Sequence, residues 1–360
     1  MRVWAEPTVL TLKQENDMNI FGCKDIGELV EQAPTLRQFA GVERYVVRGG
    51  PGDGNEILRV RSGGGLCFEV NVSRGFDIGR CELHGVPISW TSACGYISPA
   101  FYDFRGTEWN RGFEGGMLTT CGLQHAGRPE GDFDRVGLHG RSSYIPAEVA
   151  ECDAYFEGKR EIVLRGVVRE AKAGGDVLVL YRTIRVPLFE SRILVHDEVV
   201  NEGGTEAVHM MLYHINMGFP LVSETTRIGE IDAKREIVSG DAEPEDYREM
   251  RFMPDANPDV ILHNNVKNGS GKTIELRVEN EVEWLDRRAK LSLAIEYDKD
   301  QCPYLTQWRH FGKKMHVLAL EPGNCSTKGM AFHKEEGTLH TLAPDERQYY
   351  DIEIKFGLSI

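Results

Sequence analysis

The sequence predicts an all-β fold, a large antiparallel sandwich or barrel, and three observations carry that expectation. Short runs of four to eleven mostly apolar residues recur along the chain, each bounded by Gly, Pro, Ser or Asn. In the clearest of them, residues 177–186 and 193–200, β-branched side chains dominate, as a pleated and half-buried surface favours. Long amphipathic helical periods are absent, and so is any alternation of strands with helices.

Taken in order, residues 25–39 read as a short helical decoration. Asp25 and Glu28 stand at capping-box spacing and Pro34 limits the helix. This gives an expected division into an N-terminal helical extension, 1–40, packed on a main β domain, 41–360. The glycine-rich run 49–54 is a loop, and strands are expected at 56–61, 66–72 and 86–90. Residues 93–140 are rich in Gly and aromatics and poor in periodicity. So long a loop in a compact domain is usually functional, and its aromatic content argues against disorder. A meander follows at 161–169, 176–186 and 191–201, with a turn at 201–204 and a buried strand at 208–213. Residues 224–258 are acidic and carry Pro244, Pro254 and Pro258, which suggests an exposed connection. Strands resume at 273–279, 291–297, 316–320 and 350–358. The run 269–273, Gly-Ser-Gly-Lys-Thr, resembles the end of a phosphate loop, but Val266 stands where the motif needs glycine and a strand follows, so a hairpin turn is expected.

The 360 residues carry a net charge of -14. That opposes nucleic-acid binding, which rests on Lys and Arg against phosphate, and it disfavours an anionic membrane surface. No apolar run approaches the ~20 residues that span a bilayer. The first residues lack the apolar core of a signal peptide, so the cytoplasm is expected. Eight cysteines without a C-x-x-C pair suggest reduced thiols rather than a zinc site.

Several stretches combine chemistry-bearing residues. His214 and Asn216 lie two apart, so in an extended chain they share a face, and Gly218 and Pro220 then end the strand. A satisfied core histidine beside a turn asparagine would look the same. Residues 137–141, Gly-Leu-His-Gly-Arg, set His139 and Arg141 between glycines that allow close ligand approach. Trp109 and His125 lie in the same long segment. Glu321, followed by Pro322, terminates an apolar strand, where partial burial would raise its pKa toward that of a useful base. Just upstream, Gln307, Trp308 and Arg309 offer an amide, an aromatic face and a guanidinium, groups that suit a sugar. Arg74 and Asp77 either form a local ion pair or line a polar pocket.

Residues 137–141, 213–220 (Tyr-His-Ile-Asn-Met-Gly-Phe-Pro) and 320–322, in that order among strands, resemble the galactose mutarotase (aldose 1-epimerase) superfamily. Residues 74–79, 121–127 and 307–308 are similar to its DUF4432 branch. The resemblance runs from about residue 40 to the end. It implies a β-supersandwich whose concave sheet holds an open sugar site, with His139, His214 and Glu321 as its catalytic residues. No counterpart of the substrate-binding aspartate of mutarotases is matched.

The implied reaction exchanges the anomers of an aldose. Glu321 would take the anomeric proton, His214 would protonate the ring oxygen, and His139 would hold the substrate or assist. Imidazole suits the role because it titrates near neutral pH. Arg74, Asp77, Trp109, His125, Arg141, Asn216, Gln307, Trp308 and Arg309 would bind the sugar. No cofactor or metal is required. Two alternatives remain: a sugar-binding or sensing protein without catalysis, and a metal-dependent isomerase drawing on His125, His139, His214 and Glu321.

Overall fold

The computed structural model describes residues 20–131, 136–155, 160–253 and 257–360. Residues 1–19 of the N-terminal extension, and Pro254, lie outside the described residues.

Strands dominate, in three principal sheets. The first has five strands in chain order, Gly41–Val46, Glu56–Arg61, Leu66–Asn71, Asp77–Leu83 and Val86–Pro87. The second has eight, ordered Arg227–Ile228, Thr273–Trp284, Arg287–Asp298, Arg347–Ser359, Arg192–Asn201, Val177–Pro187, Glu161–Ala171 and Glu148–Tyr155. The third has six, ordered Lys234–Ser239, Asp259–Asn264, Tyr304–Gly312, Met315–Gly323, Leu212–Gly218 and Thr119–Cys121. The ladders between these strands are antiparallel.

Period-2 patterning decides which sheet face is buried. In Thr273–Trp284 buried Ile274, Leu276, Val278 and Asn280 alternate with more exposed residues, so one face meets the core. Leu212–Gly218 is buried at every position, because the core covers one face and a long loop covers the other. The main core draws on all three sheets.

Behind the Leu212–Gly218 strand, buried ions tie the sheets together. Arg182 donates to both Asp197 oxygens, at 2.9 and 2.7 Å, and to Asp77 Oδ1 at 2.9 Å. Tyr213 Oη donates to Asp197 Oδ2 at 2.6 Å, and Asp77 accepts from the Thr120 hydroxyl at 2.6 Å. Asp77 belongs to the five-stranded sheet, Arg182 and Asp197 to the eight-stranded, and Thr120 and Tyr213 to the six-stranded.

Several boundaries differ from expectation. The Val208 stretch joins the sheet only at Leu212 and continues through Gly218, so His214 and Asn216 are mid-strand rather than at a strand end. Likewise Met315–Gly323 runs past Glu321 and includes Pro322. The 224–258 connection is not simply exposed. It contributes Lys234–Ser239 and a 3₁₀ turn, Pro244–Arg248, with Tyr247 buried. Residues 269–273 do form a turn, but it links strands of different sheets rather than a hairpin. The helix spans Ile26–Gln32, with Asp25 Oδ1 accepting from Glu28 N at 2.9 Å. Its Leu29 packs with Ile20, Leu36 and Phe189.

Candidate functional site

Register across the six-stranded sheet assembles the candidate site. Ile215 lies opposite Leu320, so one step along the ladder His214 faces Glu321. On the outer side of each, Thr119 pairs with His214 and Thr306 with Glu321. The result is a row, Thr119, His214, Glu321, Thr306, across four neighbouring strands. Asn216 lies two residues from His214 and so shares its face.

His214 Nε2 and Glu321 Oε1 stand 3.2 Å apart, both side chains almost wholly buried. The approach is short but not directed as a hydrogen bond, and Glu321 Oε1 has no hydrogen-bond partner. His214 Nδ1, Asn216 Oδ1 and Thr306 Oγ1 are buried and unpartnered as well. Buried polar atoms are almost always satisfied, so the orphans at Glu321 and Thr306, with a His214–Asn216 pair that interacts without a well-formed hydrogen bond, point to groups that a ligand completes.

Burial pushes the Glu321 carboxyl well above the usual carboxylate range. Burial also draws His214 down to about 4, against the influence of Asn216 beside it. His214 is therefore far from the near-neutral titration expected of an exposed imidazole. Burial thus acts on both groups in favour of their neutral forms, carboxylic acid and imidazole.

His139 arrives from the long segment. Its own φ is +57° and that of Gly140 is +69°, a tight course for which glycine is suited. A Cβ on Gly140 would meet the His125 carbonyl oxygen at 2.5 Å. His139 Nδ1 accepts from the Gly127 N–H at 3.3 Å, which leaves the hydrogen on Nε2. The ring stands 5.9 Å from that of His214, nearly perpendicular. Burial holds its pKa well below 6.5, with His214 and His125 adding to the effect, so it stays neutral.

Aromatic rings wall the pair. Phe113 and Trp308 lie 5.1 and 5.5 Å from His214, and Trp109 lies 4.9 Å from His139. Trp90 packs on Phe113 and Trp308 at 5.6 and 5.8 Å. Most of these rings belong to a small core between the sheet and the long segment.

The structure does not bring every residue of the expected site to this face. Gln307 and Arg309 flank Trp308 and point to the opposite side. Gln307 accepts from His263 Nε2 at 2.9 Å and donates to the Tyr247 carbonyl at 2.7 Å. Arg309 donates to Asp259 at 3.0 Å and to the Asp246 carbonyl at 2.6 Å. Arg74 and Asp77 do not pair with each other. Arg74 donates to Glu114 and to the carbonyls of Ser143, Ile97 and Gly112, at 2.6–3.0 Å. Asp77 belongs to the Arg182 cluster, and both border a small cavity of about 20 Å³. Trp109 is buried, and its Nε1 donates to Ser143 Oγ at 3.1 Å. His125 meets the Arg128 carbonyl at 2.9 Å, and Arg141 is exposed. Thr306, Phe113 and Trp90 were not anticipated. Thr306 was within reach of the same period-2 argument, two residues before Trp308. Among the described residues no three His, Cys, Asp or Glu side chains converge to hold a metal ion, and no helix is long and apolar enough to cross a membrane.

Solved structures share this architecture. A candidate aldose 1-epimerase from Klebsiella pneumoniae superposes with a TM-score of 0.75 at 22% identity, over 88% of this chain and 83% of that one. The galactose 1-epimerase from Lactobacillus acidophilus gives 0.55 at 11% identity, over 89% and 100%. A galactose mutarotase-like protein from Clostridium acetobutylicum gives 0.54 at 11%, over 89% and 99%. At such identities the likeness establishes the fold, a galactose mutarotase-like β-sandwich. No curated protein matches the sequence. The model of the family described as "Domain of unknown function (DUF4432)" matches residues 52–356, most of the chain, and the protein therefore belongs to that family.

Proposed function

We propose that the protein interconverts the anomers of a reducing sugar. The observation that carries this reading is the His214–Glu321 pair, 3.2 Å apart and facing unpartnered polar atoms. Glu321, as carboxylate, takes the proton of the anomeric hydroxyl. His214, as imidazolium, gives one to the ring oxygen. The bond between the anomeric carbon and the ring oxygen breaks, the C1–C2 bond rotates, and closure on the other face returns both protons. The ion pair needed for this holds the same single proton as the neutral pair that burial favours. A short approach lets that proton cross when sugar hydroxyls solvate the two charges. His139, neutral with its hydrogen on Nε2, donates to the ring oxygen or a neighbouring hydroxyl. Trp308 and Phe113 offer apolar walls to the sugar ring. Two structural neighbours, named as a candidate aldose 1-epimerase and a galactose 1-epimerase, favour the same chemistry.

The test is Glu321→Gln. The amide matches the protonated carboxyl in size, so the fold should keep its thermal midpoint. Anomer exchange, followed by NMR magnetisation transfer over a panel of aldoses and uronates, should fall by about 10²–10⁴-fold. Undiminished exchange in the variant removes Glu321 from the mechanism. A parent protein that binds a sugar without exchanging it is a sensor instead.

A further inference from the structure

Asn216, suited by type and place to bind the sugar, has its amide committed elsewhere. Its Nδ2 donates to the Gly116 carbonyl at 3.0 Å and to the His214 carbonyl at 2.8 Å. Both amide hydrogens are thereby used, and turning the amide over would set Oδ1 against two carbonyl oxygens. Oδ1 is therefore fixed as an acceptor, buried and without a well-formed hydrogen bond. His214 presents the matching orphan. Its Nε2 faces Glu321 Oε1, and its Nδ1 is buried without a well-formed hydrogen bond. Burial lowers the pKa of the ring, and hydrogen bonding to the Asn216 side chain raises it. The two orphans serve each other, carbonyl oxygen to ring nitrogen.

An acceptor at Nδ1 decides where the neutral ring keeps its one hydrogen, because the partner of one nitrogen sets the state of the other. Free histidine favours hydrogen on Nε2. With hydrogen there, a protonated Glu321 finds no lone pair on the nitrogen that faces it. With hydrogen on Nδ1, Nε2 offers its lone pair to the Glu321 proton, and the ion pair forms by one transfer across the 3.2 Å gap. His139 is held in the opposite sense, its Nδ1 accepting from the Gly127 N–H at 3.3 Å. The two rings then present unlike nitrogens, a proton acceptor at His214 and a donor at His139. Among the described residues, the titratable groups facing His214 are Glu321 and His139. Its other neighbours, Thr119, Phe113 and Trp308, carry no charge.

We propose that Asn216 is a positioning residue: its side-chain carbonyl keeps the hydrogen of neutral His214 on Nδ1, so that the proton shared with Glu321 moves through Nε2. The catalytic half of this rests on the anomer-exchange reading, and the tautomer does not. The first measurement is long-range ¹H–¹⁵N NMR of the parent protein labelled at histidine, without sugar and at pH 7, where His214 is neutral. The His214 signals are assigned by their loss in His214→Asn. Nδ1 should read as hydrogen-bearing and Nε2 as bare. Asn216→Leu should move the hydrogen to Nε2. In anomer exchange the same variant should lower kcat by at least about tenfold with KM within about twofold, the split of a group felt in the transition state rather than in sugar binding. Its acid limb should shift to lower pH, since an acceptor that favours the imidazolium is gone. Asn216→Asp, which keeps an oxygen toward Nδ1, should retain the Nδ1 hydrogen and move the limb to higher pH. Hydrogen on Nε2 in the parent overturns the proposal. So does a raised KM with unchanged kcat and limb in Asn216→Leu, the result for a sugar ligand. Should Asn216→Leu not fold, the parent spectrum and Asn216→Asp decide. A parent with hydrogen on Nδ1 that exchanges no sugar refutes the reading of function and supports the tautomer assignment.

Discussion

A single proton held between His214 and Glu321 sets the pH limits of the proposed chemistry. His214 gains a second proton for the pair as pH falls through about 4, and a fully protonated pair has no base. At the other limit the pair loses its proton, and because burial raises Glu321 this occurs well above the usual carboxylate range. The profile of kcat/KM should therefore be a bell with its acid limb near 4, and both limbs belong to the pair rather than to one residue. An acid limb near the ordinary imidazole value would contradict the burial argument. Thr306 gives a second residue-scale test. Its hydroxyl is buried without a partner, so Thr306→Val should leave the thermal midpoint unchanged or raise it. Sugar affinity should drop by about tenfold if that hydroxyl serves the ligand. Unaltered affinity would remove Thr306 from the site. At this scale alternation made His214 and Asn216 legible in the sequence. The same rule, applied strictly, separates Gln307 and Arg309 from Trp308, since consecutive strand residues cannot share a face. Composition suggested all three as sugar ligands, but parity decides which of them the face can present.

At the scale of elements, the long 93–140 segment is held over the sheet by a buried cation. Arg74 reaches Ile97, Gly112 and Glu114 within the segment and Ser143 beyond it, and stacks on Tyr144 at 3.9 Å. Removing it strands Glu114 and three carbonyls in a buried setting. Arg74→Met should cost roughly 3–5 kcal/mol, read as a lower urea midpoint with an unchanged slope. Pairing it with Glu114→Gln should recover part of the loss. If Arg74 instead bound the sugar directly, Arg74→Met would fold as firmly as the parent and lose affinity alone. The segment's importance was legible from its length, glycines and aromatics. Its anchoring was not, because the partners of Arg74 lie 23 to 69 residues away and most are backbone carbonyls, which carry no sequence signature. Strand ends were misread for a similar reason. Glu321 and His214 look like termini locally, yet each is flanked by ladder partners that continue the strand, and Pro322 is accommodated opposite Leu305.

For the whole molecule, the mostly-β architecture was legible because period-2 patterning is local, whereas the division into three sheets rests on contacts distant in sequence. Burial on that scale has a consequence for acid stability. Eight histidines have pKa values lowered chiefly by burial: His125, His139, His209, His214, His263, His310, His333 and His340. His209 falls to about 3, and His214 and His263 to about 4. Below the ordinary imidazole value of 6.5 the unfolded chain takes up protons that these folded imidazoles refuse. Their contribution is therefore complete above 6.5 and is lost as pH falls toward 4, on the order of 3–5 kcal/mol for each of His209, His214 and His263. Buried carboxyls act in the opposite sense. Asp77, Glu114, Glu170 and Glu321 have raised values, Glu170 to about 7, so the folded state keeps protons that the unfolded chain releases, and the resulting penalty is relieved as pH falls. His196, raised against burial by its hydrogen bond to Asp351, acts with the carboxyls, so the direction expected here rests on His209, His214 and His263, whose values fall furthest. Urea unfolding followed from pH 7 to pH 4 should show stability declining steadily with acid. A flat or rising curve would mean that the four carboxyls outweigh the histidines and that imidazole burial is less complete in solution. His263→Gln, which leaves a neutral group beside Gln307, should flatten the acid slope, since it removes one proton acceptor from the unfolded chain.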